Sequence, residues 1–118
     1  MNNARFSRDD RLIKPSEFER VFKDPVKSAS RYFTILACKN DLTRARLGLA
    51  ISKKNIPLAV NRNLIKRLVR ESFRVHRALL GHNDFVVMAR READRASRDT
   101  LRVTLEQHWK ELAQKCAG

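Results

Sequence analysis

Residues 58–80 carry the longest helical periodicity in the chain, with two faces that differ sharply in charge. At about 100° per residue, Val60, Leu64, Ile65, Leu68, Ser72, Val75, His76 and Leu79 cluster on one side, with Val69 and Phe73 at its margin. Arg62, Asn63, Lys66, Arg67, Arg70, Arg74 and Arg77 fill most of the other, and Glu71 lies near the border. Gly81 supplies the C-terminal stop. A helix of this kind must bury its apolar stripe against another element, so the rest of the chain has to provide one.

From Lys53 to Arg77 there are eight basic residues and one acidic one, so this window supplies +7 of the chain's formal +13. Runs of charge are ordinarily solvated faces. Here Arg62, Lys66, Arg70 and Arg74 repeat at i, i+4 with no acidic residue at that spacing among them, and each such pair costs a few tenths of a kcal/mol. A phosphate backbone removes that cost and releases counterions on binding. The whole chain repeats the bias, with 26 Lys and Arg against 13 acidic residues and a pI near 10.9. Of the 26, 17 are Arg, whose planar fork grips phosphate and stacks on bases as Lys does not. Nucleic acid is favoured over an anionic membrane. No apolar run approaches the roughly 20 residues of a membrane-spanning helix, and Met1 to Phe6 lack the apolar segment of a signal peptide. The expectation is a reduced, cytoplasmic protein.

At 118 residues the chain is expected to form one domain. Residues 1–14, with Arg5, Arg8, Arg11 and Lys14, read as an irregular or extended basic arm. Pro15 followed by Ser16 and Glu19 has the spacing of a capping box, opening a short helix with Phe18, Val21 and Phe22 on one face. Residues 31–39 alternate as a strand, with Tyr32, Thr34, Leu36 and Cys38 opposite Phe33, Ile35 and Ala37. After a turn at Asn40 to Thr43, residues 46–52 put Leu47, Leu49 and Ile51 on one face and Gly48 and Ala50 on the other. The bare backbone there allows another element or a ligand to approach closely. A β-hairpin is the natural joining of these two strands. Phe85 to Ala89 form a short buried strand, and a last helix over about 100–115 aligns Leu101, Leu105, His108, Trp109 and Leu112 as a core stripe. Three helices and at least three strands in mixed order make a small α+β domain.

Nothing in this pattern is a catalytic centre. The acidic residues are scattered among basic neighbours, and His76, His82 and His108 have neither ligand spacing nor an acid–base arrangement. Cys38 and Cys116 read as a core thiol and a tail thiol.

The wording of the basic segment is more specific than its charge. Ser52-Lys53-Lys54, Ala59-Val60, Arg62-Asn63, Ile65-Lys66-Arg67-Leu68 and Arg70-Glu71-Ser72-Phe73-Arg74 closely resemble the RNR region of the bacterial ribonuclease P protein family. The likeness extends to Arg11-Leu12, Phe18, Val21-Phe22, the Arg46 to Leu49 strand and the Asp84 to Arg90 strand, nearly the whole chain. One departure falls inside the motif, where Arg62-Asn63-Leu64 stands for Arg-Asn-Arg. A second concerns Leu36, near which the family often has an aromatic; Tyr32, on the same face by alternation, is the expected substitute.

The resemblance implies a four-stranded sheet with three helices and a left-handed crossover around the basic helix, a ribosomal protein S5 domain 2-like fold. It implies the protein component of an endoribonuclease that removes the 5′ leader from precursor tRNA by magnesium-dependent phosphodiester hydrolysis. Catalysis then resides in an RNA subunit that holds most of the magnesium, with no metal bound by protein ligands alone and no protein-borne catalytic residue. The protein binds the catalytic RNA and the leader and broadens substrate use, with no membrane and no obligate protein partner. On that reading Lys53, Lys54, Arg62, Asn63, Lys66, Arg67, Arg70 and Arg74 contact the catalytic RNA, and Phe18, Phe22, Tyr32 and Leu36 form the leader cleft. A ribosomal-protein-like RNA binder, a helix-turn-helix DNA binder and a protein-only nuclease are the alternatives.

Overall fold

The computed structural model describes residues 10–117. Its elements run α1 (Pro15–Lys23), β1 (Val26–Ala29), β2 (Phe33–Lys39), β3 (Arg46–Ala50), α2 (Ala59–His76), β4 (Asn83–Ala89) and α3 (Arg98–Ala117), with short 3-10 turns at Arg77–Leu79 and Arg91–Arg95. The sheet order is β1-β2-β4-β3. β1 and β4 lie antiparallel to β2, and β3 lies parallel to β4.

The expected hairpin between the strands at 31–39 and 46–52 does not form. β4 lies between them, with Leu36 opposite Val86 on one side and Gly48 opposite Val86 on the other. The segment at 40–43 does turn, with the Asn40 side chain accepting from Leu42 N–H at 2.9 Å. It carries the chain past the strand that later fills the gap. α2 is the crossover that joins β3 to its parallel neighbour β4. β1, which no residue pattern announces, pairs along Val26 to Ala29 at the other edge; four residues are too few for an alternation to stand out.

α2 and α3 cover one face of the sheet. The main core there joins Phe33, Ile35 and Ala37 of β2 to Phe85 and Val87 of β4, and Ile65, Leu68, Val69 and Phe73 of α2 to the α3 stripe. Phe73, Phe85 and Trp109 meet edge-to-face with centroids 5.8–6.1 Å apart, and Trp109 Nε1 donates to Ser72 Oγ at 2.9 Å. The expected core stripe of the last helix, Leu101, Leu105, His108, Trp109 and Leu112, is buried throughout. The buried face of α2 is turned from the expected one. Val69 and Phe73, placed at the margin, are fully buried, while Val60, Val75 and Leu79 are exposed. Facing β4 and α3 together, rather than one flat neighbour, decides which arc of the helix is covered.

The opposite face carries α1. Leu12 and Val21 pack on Leu36 and Val86, with Phe18, Cys38 and Met88 at the border. α1 does not begin with a Ser16–Glu19 box. Pro15 is its first residue, and the Glu17 carboxylate accepts from the backbone N–H groups of Ile13 and Lys14, both at 2.9 Å. These bonds, chiefly that from Lys14, hold the Glu17 carboxyl's pKa below the ordinary carboxylate value. Asp84, fully buried, anchors α1 to the sheet end. It accepts Arg46 through both oxygens at 2.8 and 2.9 Å, Asn40 at 2.8 Å, and Arg20 of α1. Arg46 also reaches Glu17 at 2.9 Å.

Residues 1–9 of the expected basic arm lie outside the described residues. Its last part is not loose. Leu12 N–H donates to Leu47 carbonyl at 2.9 Å, Arg11 bridges Leu47 in parallel, and buried Asp10 pairs with Arg44 and Arg77 at 3.1 and 2.7 Å.

Candidate nucleic-acid interface

Acidic side chains decide which cations are available to a partner. Asp84 and Glu17 engage Arg20 and Arg46, Asp10 engages Arg44 and Arg77, and α3 pairs Arg102, Lys110 and Lys115 within its own turns. Among the described residues Lys53, Lys54, Lys66, Arg67 and Arg70 make no ion pair. They lie on the loop before α2 and along its outer surface, where Asn63 and Arg67 are exposed. Arg74 stands in the same row but is engaged by Glu71, one turn earlier, and its hydrogen bond holds that carboxyl's pKa below the ordinary value.

Arg62 does a different job from its neighbours. Its Nη1 donates to the carbonyls of Ile56 and Pro57 at 2.9 and 2.8 Å, pinning the 52–58 loop to the first turn of α2. Asn55 Nδ2 ties the same loop to Ala89 carbonyl at 2.9 Å, and Ile56 N–H donates to Ser52 carbonyl at 2.9 Å. Lys53 and Lys54 are thereby displayed on a hydrogen-bonded loop rather than a slack one. Leu64, in the place of a family Arg, is partly buried against the main core.

The four leader-cleft residues do not come together. Phe18 and Leu36 share the small core beneath α1, where Leu36 is 6% exposed and is floor rather than surface. Phe22 is on the same helix and 46% exposed. Tyr32 precedes β2 and packs against the main core instead, with Arg31 lying 5.8 Å over its ring. Its even spacing from Leu36 counts for nothing outside the strand. The open floor beside α1 is the cross-strand row Thr34, Met88 and Ala50, each at least partly exposed. Alternation could have named these three, but only the strand order makes them neighbours.

Gly48 fixes where Phe18 sits. A Cβ at that position would lie 2.7 Å from Phe18 Cε1 and 3.1 Å from Leu12 Cβ, so the absent side chain admits both, as the bare backbone suggested. Among the described residues no three His, Cys, Asp or Glu side chains are grouped to hold a metal, and no helix is long and apolar enough to cross a membrane.

A mixed four-stranded sheet, with a helix rich in cations on one side and an apolar, half-open strip on the other, defines a small α+β domain with a strongly basic helix. The family model described as Ribonuclease P matches residues 6–113. The Ribonuclease P protein component of Methylococcus capsulatus is 50% identical over 113 residues, covering 96% of this chain and 88% of that one. The solved RNase P protein of Staphylococcus aureus superposes with a TM-score of 0.81 at 35% identity, covering 86% of this chain and 94% of that one. The RNase P protein of Thermotoga maritima gives 0.77 at 31%, covering 86% and 96%. The chain belongs to the Ribonuclease P family, whose members are the protein component of the tRNA-processing ribonuclease.

Proposed function

We propose that this protein binds the catalytic RNA of ribonuclease P through the α2 surface and the 52–58 loop, and the 5′ leader of precursor tRNA on the α1 side of the sheet. The observation that carries this reading is the separation of cations. Asp84, Glu17 and Asp10 engage cations that hold the fold, while Lys53, Lys54, Lys66, Arg67 and Arg70, gathered on one loop and one helix surface, stand without an acidic partner among the described residues. Such a row is stable only at the cost of repulsion until a polyanion meets it. Asn63 adds a hydrogen-bonding group between them, Arg62 offers its remaining N–H groups, and Arg74 can exchange Glu71 for phosphate. On the other face Phe18 borders the same small core as Met88, the middle of the row Thr34, Met88 and Ala50, and Phe22 stands exposed on the same helix. Stacking there is worth roughly 1–3 kcal/mol per base.

No residue of this chain is assigned a bond-breaking role. The buried acidic groups, Asp84 and Asp10, are occupied by guanidinium groups, and Glu17 by Arg46 and backbone N–H groups, so the donors among the described residues do not fit a magnesium site. Magnesium is held mainly by the RNA, which hydrolyses the phosphodiester bond. The protein's share is to neutralise, position and extend the range of substrates, in the cytoplasm and with no obligate protein partner.

The test is reconstitution of purified chain, catalytic RNA and precursor tRNA at low magnesium. Cleavage at the mature 5′ end that requires both macromolecules is the expected result. Equal cleavage by RNA alone under those conditions, or cleavage by protein alone, overturns the reading.

A further inference from the structure

At the outer edge of β3 the two surfaces meet in a half-open hollow of about 180 Å3, where Arg11, Lys66 and Arg70 stand around Phe18, Leu47 and Leu49. Resting on the function proposed above, we propose that this hollow is a discrete phosphodiester site, with Arg11 as a third cation beside Lys66 and Arg70.

Its charge sets it apart. The hollow between the 52–58 loop and the turn at Arg91–Arg95 contains Lys54, Arg91 and Arg95 but also Glu92 and Asp94. The groove between α2 and α3 balances Arg67 and Arg102 with Glu71 and Glu106. The β3-edge hollow brings three cations together and no carboxylate. Leu47 is 1% exposed and forms an apolar wall, which concentrates the field of the cations over it. Arg11 is held there by the backbone, through the Arg11–Leu47 bridge and the 2.9 Å bond from Leu12 N–H to Leu47 carbonyl. Its guanidinium therefore remains available to a ligand. The position also explains why an RNA strand passes here. Phe18 belongs to the leader side and Lys66 and Arg70 to the helix side, so the sheet edge is the shortest route between the two surfaces.

The phosphate has two possible sources, the catalytic RNA or the precursor tRNA, and two binding arms separate them. One measures affinity for catalytic RNA alone, the other affinity of the reconstituted complex for precursor tRNA. In one arm Arg11→Ala is expected to weaken binding about tenfold, the effect of one charge-assisted contact. Arg11→Lys should recover most of it, and Arg98→Ala, removing an exposed cation on α3 away from the hollow, should change it less than twofold. Because the cations share one phosphate, Arg11→Ala and Arg70→Ala together should fall short of the product of their separate effects. An unchanged melting midpoint for Arg11→Ala keeps folding out of the comparison. If Arg11→Ala matches Arg98→Ala in both arms, or combines multiplicatively with Arg70→Ala, the site is overturned while the broader function stands. If the unsubstituted protein binds neither RNA, both fall together.

Discussion

At the scale of single residues, two positions hold consequences out of proportion to their size. Gly48 lets the Phe18 ring and Leu12 lie directly on the sheet backbone. Gly48→Ala must push the ring outward, so a loss of about 1–3 kcal/mol in denaturant unfolding is expected, together with weaker discrimination between precursor and mature tRNA. Leader discrimination unchanged in a folded variant would remove Phe18 from the cleft. Leu64 is the motif's missing Arg, and it packs at the margin of the main core. Leu64→Arg should cost no more than about 1 kcal/mol, because a long stem can lie along the same surface with its charge in water. Affinity for catalytic RNA should rise modestly or stay level. A marked fall in stability would show that Leu64 is fixed by packing.

At the scale of elements, α1 is attached as much by charge as by apolar contact. Asp84→Asn removes the carboxylate that Arg46 and Arg20 share, leaving Arg46 with only Glu17. Breaking a buried pair from one side costs roughly 3 kcal/mol, here expected as a lower unfolding midpoint accompanied by loosening of α1 in hydrogen exchange. Exchange confined to other elements would show that α1 is held by its apolar face alone. α2 makes the opposite use of charge. Arg67 is exposed and without an ion pair among the described residues, so Arg67→Ala should flatten the salt dependence of RNA binding by about 0.7–0.9 of a slope unit if it neutralises one phosphate. An identical slope would take Arg67 out of contact.

At the scale of the whole molecule, the sheet edge at β1 is tied to α3 through buried polar groups. His108 is 3% exposed, with Nδ1 2.7 Å from Ser28 Oγ and Nε2 2.8 Å from Ser30 Oγ. Phe33 stands edge-on to its ring and Glu111 also reaches Ser28. Burial pushes the imidazole below its ordinary value near 6.5, against a smaller opposing pull from Glu111. The unfolded chain then binds more protons than the folded one between those two values, so stability rises with pH across that window and is lost as pH falls below about 6.5. Melting midpoints measured from pH 7 to 5 should fall more for the natural protein than for His108→Gln. Parallel curves would show that folding leaves the titration of His108 unshifted. The depressed carboxylates, Glu17, Glu71 and Glu111, act only at lower pH, below their ordinary value of 4.5.

Much was legible in the order of residues alone. The basic helix, the buried stripe of α3 and the glycine at 81, whose φ of +63° matches a helix-ending position, are local patterns, written in spacings of three, four and seven. Charge excess, too, is a sum over the chain and needs no coordinates. Where these patterns meet was decided by long-range pairing. Inserting β4 between β2 and β3 abolished the hairpin and lined up Thr34, Met88 and Ala50. The combined surface of β4 and α3 chose the buried arc of α2, and the strand's start left Tyr32 on the wrong side. The sequence could say that α2 is cationic. Only the tertiary structure decided which of its cations are spent on the fold, because an ion pair depends on distance in space and carries no signature along the chain.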